Sequence, residues 1–258
     1  MGNSLNCSIY CLILTSLLFF LGGCTEKEFD PADPAKSFTI AREPYDDENF
    51  EIAVQRLGEF KSRFPYSKYA TIAELFIANS HFELGNYEEA AVSYSQFVKL
   101  HPNNEKVDFA MYRIGESYWI DSPEEVDREQ EFTHKAIEEW EKLVKRFPQS
   151  QYTKKAQKFI AEGQRRIAES YEFIADFYCK MEIIHACAYR FELLAEKFPE
   201  FKDLYNKSLQ QAALALDQLA ELKKADPESD KNIYFKTMTA AQIKMRAAEL
   251  RKRLQSGS

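Results

Sequence analysis

Four short phrases recur along this chain: Arg63-Phe64-Pro65, Leu100-His101-Pro102, Arg146-Phe147-Pro148 and Lys197-Phe198-Pro199. Proline cannot continue a helix, and its ring pushes the preceding residue toward an extended backbone. Basic residues just upstream suit the negative end of a helix. Two phrases continue alike, as Pro65-Tyr66-Ser67-Lys68-Tyr69 and Pro148-Gln149-Ser150-Gln151-Tyr152. Ser67 and Ser150 there are good N-caps for a following helix. The pattern is a helix stop followed by a helix start, and it constrains the chain to a series of helices. Only 8 glycines and 14% aromatics suit packed helices rather than a loop-rich β fold.

The closing prolines lie 37, 46 and 51 residues apart. A tetratricopeptide repeat takes about 34 residues, with small and aromatic residues in set slots of a helix pair and a proline at its close. The second window supplies Ala78, Gly85, Tyr87, Ala90, Tyr94 and Pro102 in those slots. The third supplies Gly115, Tyr118, Ala136, Trp140 and Pro148, and the fourth Ala175, Tyr178, Phe191 and Pro199. The first supplies Ala41, Phe50, Ala53 and Pro65, with Pro44 expected to cut its first helix short. The expected fold is all-α, a right-handed superhelical tetratricopeptide-repeat solenoid of about five helix-turn-helix repeats over residues 35–225. Small residues let paired helices approach, and aromatics fill the gaps between repeats.

The irregular spacings have local causes. Asp121 to Gln130 is acidic, contains Pro123 and reads as a solvated loop. Tyr152 to Lys180 lacks proline and reads as one long helix, in which Gly163 costs about 1 kcal/mol relative to alanine. Leu204 to Leu222 supplies another helix, ended by Ala225-Asp226-Pro227. Residues 226–258 form a basic C-terminal segment, with a helix from Lys231 to Leu254 that carries seven Lys/Arg against one Glu. Its basic face is either solvated or a docking face for an acidic partner or lipid phosphates.

At the other end, an apolar run from Ile9 to Phe20 precedes Leu21-Gly22-Gly23-Cys24. The run falls short of the about 20 apolar residues that a membrane span needs. Residues 1–23 therefore read as a signal peptide. Leu-Gly-Gly-Cys resembles a bacterial lipobox, which implies cleavage before Cys24, covalent lipid on Cys24 and a polar spacer at 24–34. The lipid is the only attached group expected. Thr25, where an aspartate would suggest inner-membrane retention, favours the outer membrane. Cys7 and Cys11 leave with the signal peptide, so Cys179 and Cys187 remain. An exported chain meets an oxidising compartment, so a disulfide is open. Both cysteines fall in what look like core slots of facing helices, and two buried thiols are favoured.

The net charge of −7 argues against a protein that tracks nucleic acid backbones. His81, His101, His134 and His185 are scattered, and the chain has no zinc-protease helix, no P-loop and no dinucleotide fingerprint. It also lacks Ser-x-x-Lys and the nucleophile elbow. The expectation is a non-enzymatic scaffold without metal, because stacked helix pairs make an extended binding surface.

The lipobox, the closings of the form R-[FY]-P-x-S-x-Y, the run Val107-Asp108-Phe109-Ala110-Met111-Tyr112-Arg113-Ile114-Gly115 and the run Tyr171 to Tyr178 together resemble the BamD family. These are lipoproteins of the outer-membrane β-barrel assembly machinery, and the likeness runs from Leu21 to near Leu219. The resemblance implies a lipid-anchored protein on the periplasmic face of the outer membrane. Its implied partners are the POTRA region of the barrel-forming subunit BamA, other assembly lipoproteins and unfolded outer-membrane proteins. Arg190, in Tyr189-Arg190-Phe191, matches an arginine that the family sets against an acidic POTRA residue. Helix geometry turns Leu75, Phe76, Asn79, Tyr112 and Arg113 toward the groove. Asn79 and Arg113 are candidates for a substrate's terminal carboxylate, and Phe76 and Tyr112 for its terminal ring. Lys99 adds charge by family analogy. Ordinary packing between repeats competes for the aromatics, and a repeat lipoprotein that organises peptidoglycan or division proteins is the alternative function.

Overall fold

The computed structural model describes residues 27–226 and 233–256. The predicted signal peptide, Cys24 and the next two residues of the spacer, and Pro227 lie outside the described residues. Among the described residues ten α-helices follow in order: α1 Pro34–Asp46, α2 Phe50–Arg63, α3 Lys68–Glu83, α4 Tyr87–Leu100, α5 Val107–Ile120, α6 Glu131–Arg146, α7 Thr153–Lys180, α8 Ile184–Lys197, α9 Lys202–Ala225 and α10 Ala240–Ser256. A 3-10 turn, Ile233–Phe235, precedes α10. No strand occurs among the described residues. The architecture is an all-α series of tetratricopeptide-like helix pairs.

The four proline phrases end α2, α4, α6 and α8. The residue before each proline (Phe64, His101, Phe147, Phe198) leaves the helix with φ between −124° and −131°. A following proline disfavours the helical region for the residue before it, and all four have left that region. Within three pairs the turn is a shared left-handed close. Glu48, Gly85 and Glu182 have φ of 58°, 75° and 57°. The next N–H reaches back five residues: Asn49 to the Pro44 carbonyl (2.7 Å), Asn86 to His81 (2.9 Å) and Ile183 to Tyr178 (3.0 Å). This is the Schellman bonding pattern, which glycine makes without strain. The third pair has the predicted loop instead, pinned where Gln130 Nε2 donates to the carbonyls of Glu125 (2.9 Å) and Arg128 (3.1 Å).

The chain divides into two compact units, residues up to Phe76 and residues from Ile77 onward. In the first, Phe38 lies among Phe60, Tyr69 and Phe76, and Ala53 and Leu57 are fully buried. Helix α1 starts at Pro34, where the predicted spacer ends, and Asp33 caps it by accepting from the Lys36 N–H at 3.0 Å. One expectation is corrected there. Pro44 does not cut that helix short. It sits in the last turn, where a missing N–H costs one bond and the chain is about to leave the helix anyway. Ser67 does precede α3, and its Oγ accepts from the Tyr69 N–H at 3.2 Å.

In the second unit α4 to α10 pack in sequence, each on the next. A Cβ on Gly115 would lie 2.5 Å from Trp140 Nε1, so glycine is what lets α5 and α6 close. Helix α7 is unbroken for 28 residues. A Cβ at Gly163 would meet Ile137 at 2.9 Å and Trp119 at 3.2 Å, so this glycine also serves a close approach. Ser150 is not the N-cap of α7, which begins at Thr153. It holds the turn before it, accepting from the Tyr152 N–H (3.2 Å) and donating to Asp108 Oδ2 (2.6 Å).

Two further corrections fall in the C-terminal half. Cys179 and Cys187 are bonded as a disulfide rather than held as two thiols. They belong to consecutive helices, and the short α7–α8 turn brings their Cα atoms to 4.8 Å, within bridging range. The C-terminal helix starts nine residues later than expected, at Ala240. It buries Ile243, Ala247 and Leu250 against Leu209, Leu216 and Leu219. Part of its basic face is paired within the protein. Arg246 pairs with Glu192 (2.5 Å), Lys244 with Glu221 (3.1 Å) and Arg251 with Asp217.

Candidate functional site

Of the predicted groove residues, the structure brings Asn79, Tyr112 and Arg113 into one polar network within the second unit. Helix α5 carries Tyr112, Arg113 and Glu116 over one turn and a half. Arg113 donates from Nε to the Tyr94 hydroxyl (3.2 Å), and Tyr94 donates onward to Asn79 Oδ1 (2.6 Å). The Arg113 Nη1 meets Glu116 at 2.9 Å and Nη2 meets Glu83 at 3.2 Å. Its guanidinium carbon stands 3.4 Å from the Phe82 ring centre. Tyr112 donates to the other Glu116 oxygen at 2.7 Å, and Lys155 reaches that same oxygen at 3.3 Å. Two cations therefore face two carboxylates, and the network is neutral within itself.

The electrostatics follow from this closure. Burial alone would lower the Arg113 value, but Tyr94 and Glu116 outweigh it and the net direction is upward. Burial, then the bond to Glu116, pushes the Tyr112 phenol up. Tyr112 is only 3% exposed and stacks on Tyr152 (5.2 Å) and Trp140 (6.2 Å). It packs repeats together and offers no face to a ligand ring, which corrects that part of the expectation. Arg113 is likewise not a waiting cation. Of its two acids, Glu83 is the replaceable one, with 45% of its side chain exposed.

The other predicted residues lie apart from this network. Phe76 belongs to the first unit, where it meets Tyr45 at 4.7 Å and Phe38 at 6.2 Å. Lys99 lines a separate pocket between α4, α5 and α6. Arg190 lies on α8 beside the buried Phe191, with its guanidinium 5.7 Å from the Tyr178 ring centre. Its Nε is buried and has no hydrogen-bond partner. Neighbouring Tyr189 stacks on Tyr234 at 4.1 Å, which fixes this part of α8.

Sequence reasoning missed Tyr94, Glu83 and Glu116 as members of the network. Glu116 had a local signal, since it stands three residues after Arg113 on a helix. Tyr94 looked like packing alone. Among the described residues, no group of three or more His, Cys, Asp or Glu is placed to hold a metal. No helix among them is long and apolar enough to cross a membrane.

A family model described as YfiO, outer membrane lipoprotein, matches residues 31–231. The outer membrane protein assembly factor BamD of Vibrio cholerae serotype O1 is 25% identical over 219 residues, covering 81% of this chain and 89% of the relative. The protein of that name from Rickettsia prowazekii is 27% identical over 192 residues, covering 72% and 76%. That of Neisseria meningitidis serogroup A is 24% identical over 202 residues, covering 75% and 73%.

Proposed function

This chain belongs to the YfiO family of outer membrane lipoproteins, and from that membership we propose that it is an outer membrane protein assembly factor. It works by holding partners together rather than by catalysis. The observation that carries this is the family match across 31–231, which takes in every helix from α1 to α9.

Cys24 attaches the chain to the outer membrane on its periplasmic side. Each buried methylene adds about 0.8 kcal/mol, and one acyl chain binds only reversibly. The several chains of a lipobox cysteine make the anchor lasting. The BamA-like partner docks its POTRA region on the C-terminal helix pairs, with a carboxylate against Arg190. The half-buried Arg190 favours this, because its guanidinium stands against the Tyr178 ring with no carboxylate within ion-pairing distance among the described residues, which leaves its charge for a partner. Co-purification from membranes in mild detergent tests it. A POTRA-bearing barrel protein should come with the wild type and be depleted with Arg190→Ala. Equal recovery would remove Arg190 from the interface, and recovery of cell-wall proteins alone would defeat the assembly role.

Unfolded barrel proteins are received at the Arg113 network by exchange of carboxylates. The substrate's terminal carboxylate takes the place of Glu83 on Arg113 Nη2. A peptide with a C-terminal phenylalanine and a free carboxylate should bind Glu83→Gln more tightly than wild type, and its amidated form should not. Identical affinity of both forms for both proteins would rule the exchange out.

A further inference from the structure

The pocket that holds Lys99 has a composition unlike the rest of this acidic chain. Three helices of the second unit wall it: Ser95, Val98 and Lys99 from α4, Met111 and Ile114 from α5, and Glu139, Lys142, Lys145 and Arg146 from α6. Its volume is about 670 Å³. Met111 and Ile114 form the floor, and Val98 is partly buried beside them. The four cations stand around this floor and are exposed. Against them is one carboxylate, Glu139.

The cations differ in what they already hold. Lys142 pairs with Glu138 and Glu139, both at 2.8 Å. Arg146 donates to the Pro102 carbonyl at 2.6 Å, which fixes its side chain but leaves its charge uncompensated. Lys99 and Lys145 have no acid within ion-pairing distance and no hydrogen-bond partner among the described residues. This contrasts with Arg113, whose charge the protein neutralises itself. Two free ammonium groups over an apolar floor suit a ligand that brings an apolar side chain and carboxylates together. The exposed Val92, one turn before Ser95 on the same helix, extends the apolar track along α4.

We propose that this pocket docks an acidic segment of a partner protein, whose apolar side chain rests on Val98, Met111 and Ile114 while its carboxylates pair with Lys99 and Lys145. A lipid is the poorer fit. Its acyl chain needs a continuous apolar channel, and here charged side chains ring a short floor. The proposal stands apart from the assembly role, since it concerns different residues and no barrel signal.

The test uses the full lipoprotein in detergent and short fluorescent peptides that place one phenylalanine between glutamates. Binding is read by anisotropy. Wild type should bind, more weakly as salt rises, and Lys99→Gln with Lys145→Gln should lose about tenfold, since exposed charge pairs are screened and steer association. Exchanging the phenylalanine for alanine should also weaken binding. Both lysines are exposed, so circular dichroism should show the double variant folded. The proposal is overturned if wild type binds none of the peptides, or if wild type and double variant bind alike. Tighter binding of soluble short-chain phosphatidylglycerol than of any acidic peptide also overturns it and assigns the pocket to lipid.

Discussion

The α5–α6 pair and the α7–α8 pair are one device closed in two ways. In the first, a long acidic loop joins the helices, so side chains must hold them together. Trp140 is fully buried, fits against Gly115, donates Nε1–H to the Tyr112 carbonyl (3.1 Å) and stacks on Phe159 (5.1 Å). In the second, the turn is minimal, Glu182 takes a left-handed backbone, and a covalent bond joins Cys179 to Cys187. Each of these two pairs has one strong tie of its own, and the chemistry of that tie differs. The first is indifferent to reductants, and the second is not.

The largest expected effect falls on the packed pair. Trp140→Ala should lose about 3–5 kcal/mol, read from urea unfolding. A loss under about 1 kcal/mol would mean the loop, not the indole, is the tie. Next is the covalent pair, where Cys187→Ser with Cys179→Ser should cost about 2–3 kcal/mol for so short a closed loop. Hydrogen exchange should quicken at the end of α7 and in α8 and stay unchanged in α5 and α6. Uniform quickening across both pairs would break the distinction drawn between them.

Gly115→Ala should cost about 1–3 kcal/mol by overpacking, because the new methyl must displace the indole. Glu182→Gly should stabilise the protein by about 1 kcal/mol, since a residue with a Cβ pays for the left-handed turn. Glu182→Ala should bring no such gain, and if it does, strain is not the cause. The smallest effect concerns Arg165, which ties α7 to α9 through Asp203 at 2.6 Å. Bonding to Arg165 holds the Asp203 carboxyl at about 2. A lowered carboxylate value adds stability above the group's ordinary value, and that stability is lost as pH falls toward 2. Asp203→Asn should therefore lower the urea midpoint slightly at neutral pH, with the difference shrinking as pH falls through about 2.

Much of this was legible in the chain because its causes are local. Proline acts on its own neighbour, so the four helix ends fell where Pro65, Pro102, Pro148 and Pro199 require. Gly85 announces a left-handed turn, whereas Glu48 and Glu182 adopt the same geometry with no such sign. Helix register brings Asn79, Tyr112 and Arg113 to one side, and they share a network. Their pairing was hidden, because it depends on Tyr94 and Glu83 reaching in from other helices. Lys99, named from family resemblance alone, lies on the second helix of its pair and lines a different pocket. The acids that pair with Lys244, Arg246 and Arg251 of α10 sit on α8 and α9, far off in sequence. Cys179 and Cys187 looked like separate core slots until the turn between them had a shape.

Helix α7 serves both of these pairs at once, packing on α6 and on α8. At 28 residues it is a rod of roughly 42 Å. Each residue of a helix turns the chain by roughly 100°. A single inserted or deleted residue inside α7 would swing Cys179, and every helix after it, out of register with the half that packs on α6. The loop at 121–130 can lengthen or shrink without that penalty. Length variation in related genes should therefore collect in the loop and be purged from the rod, and the third and fourth repeats cannot be exchanged singly as cassettes.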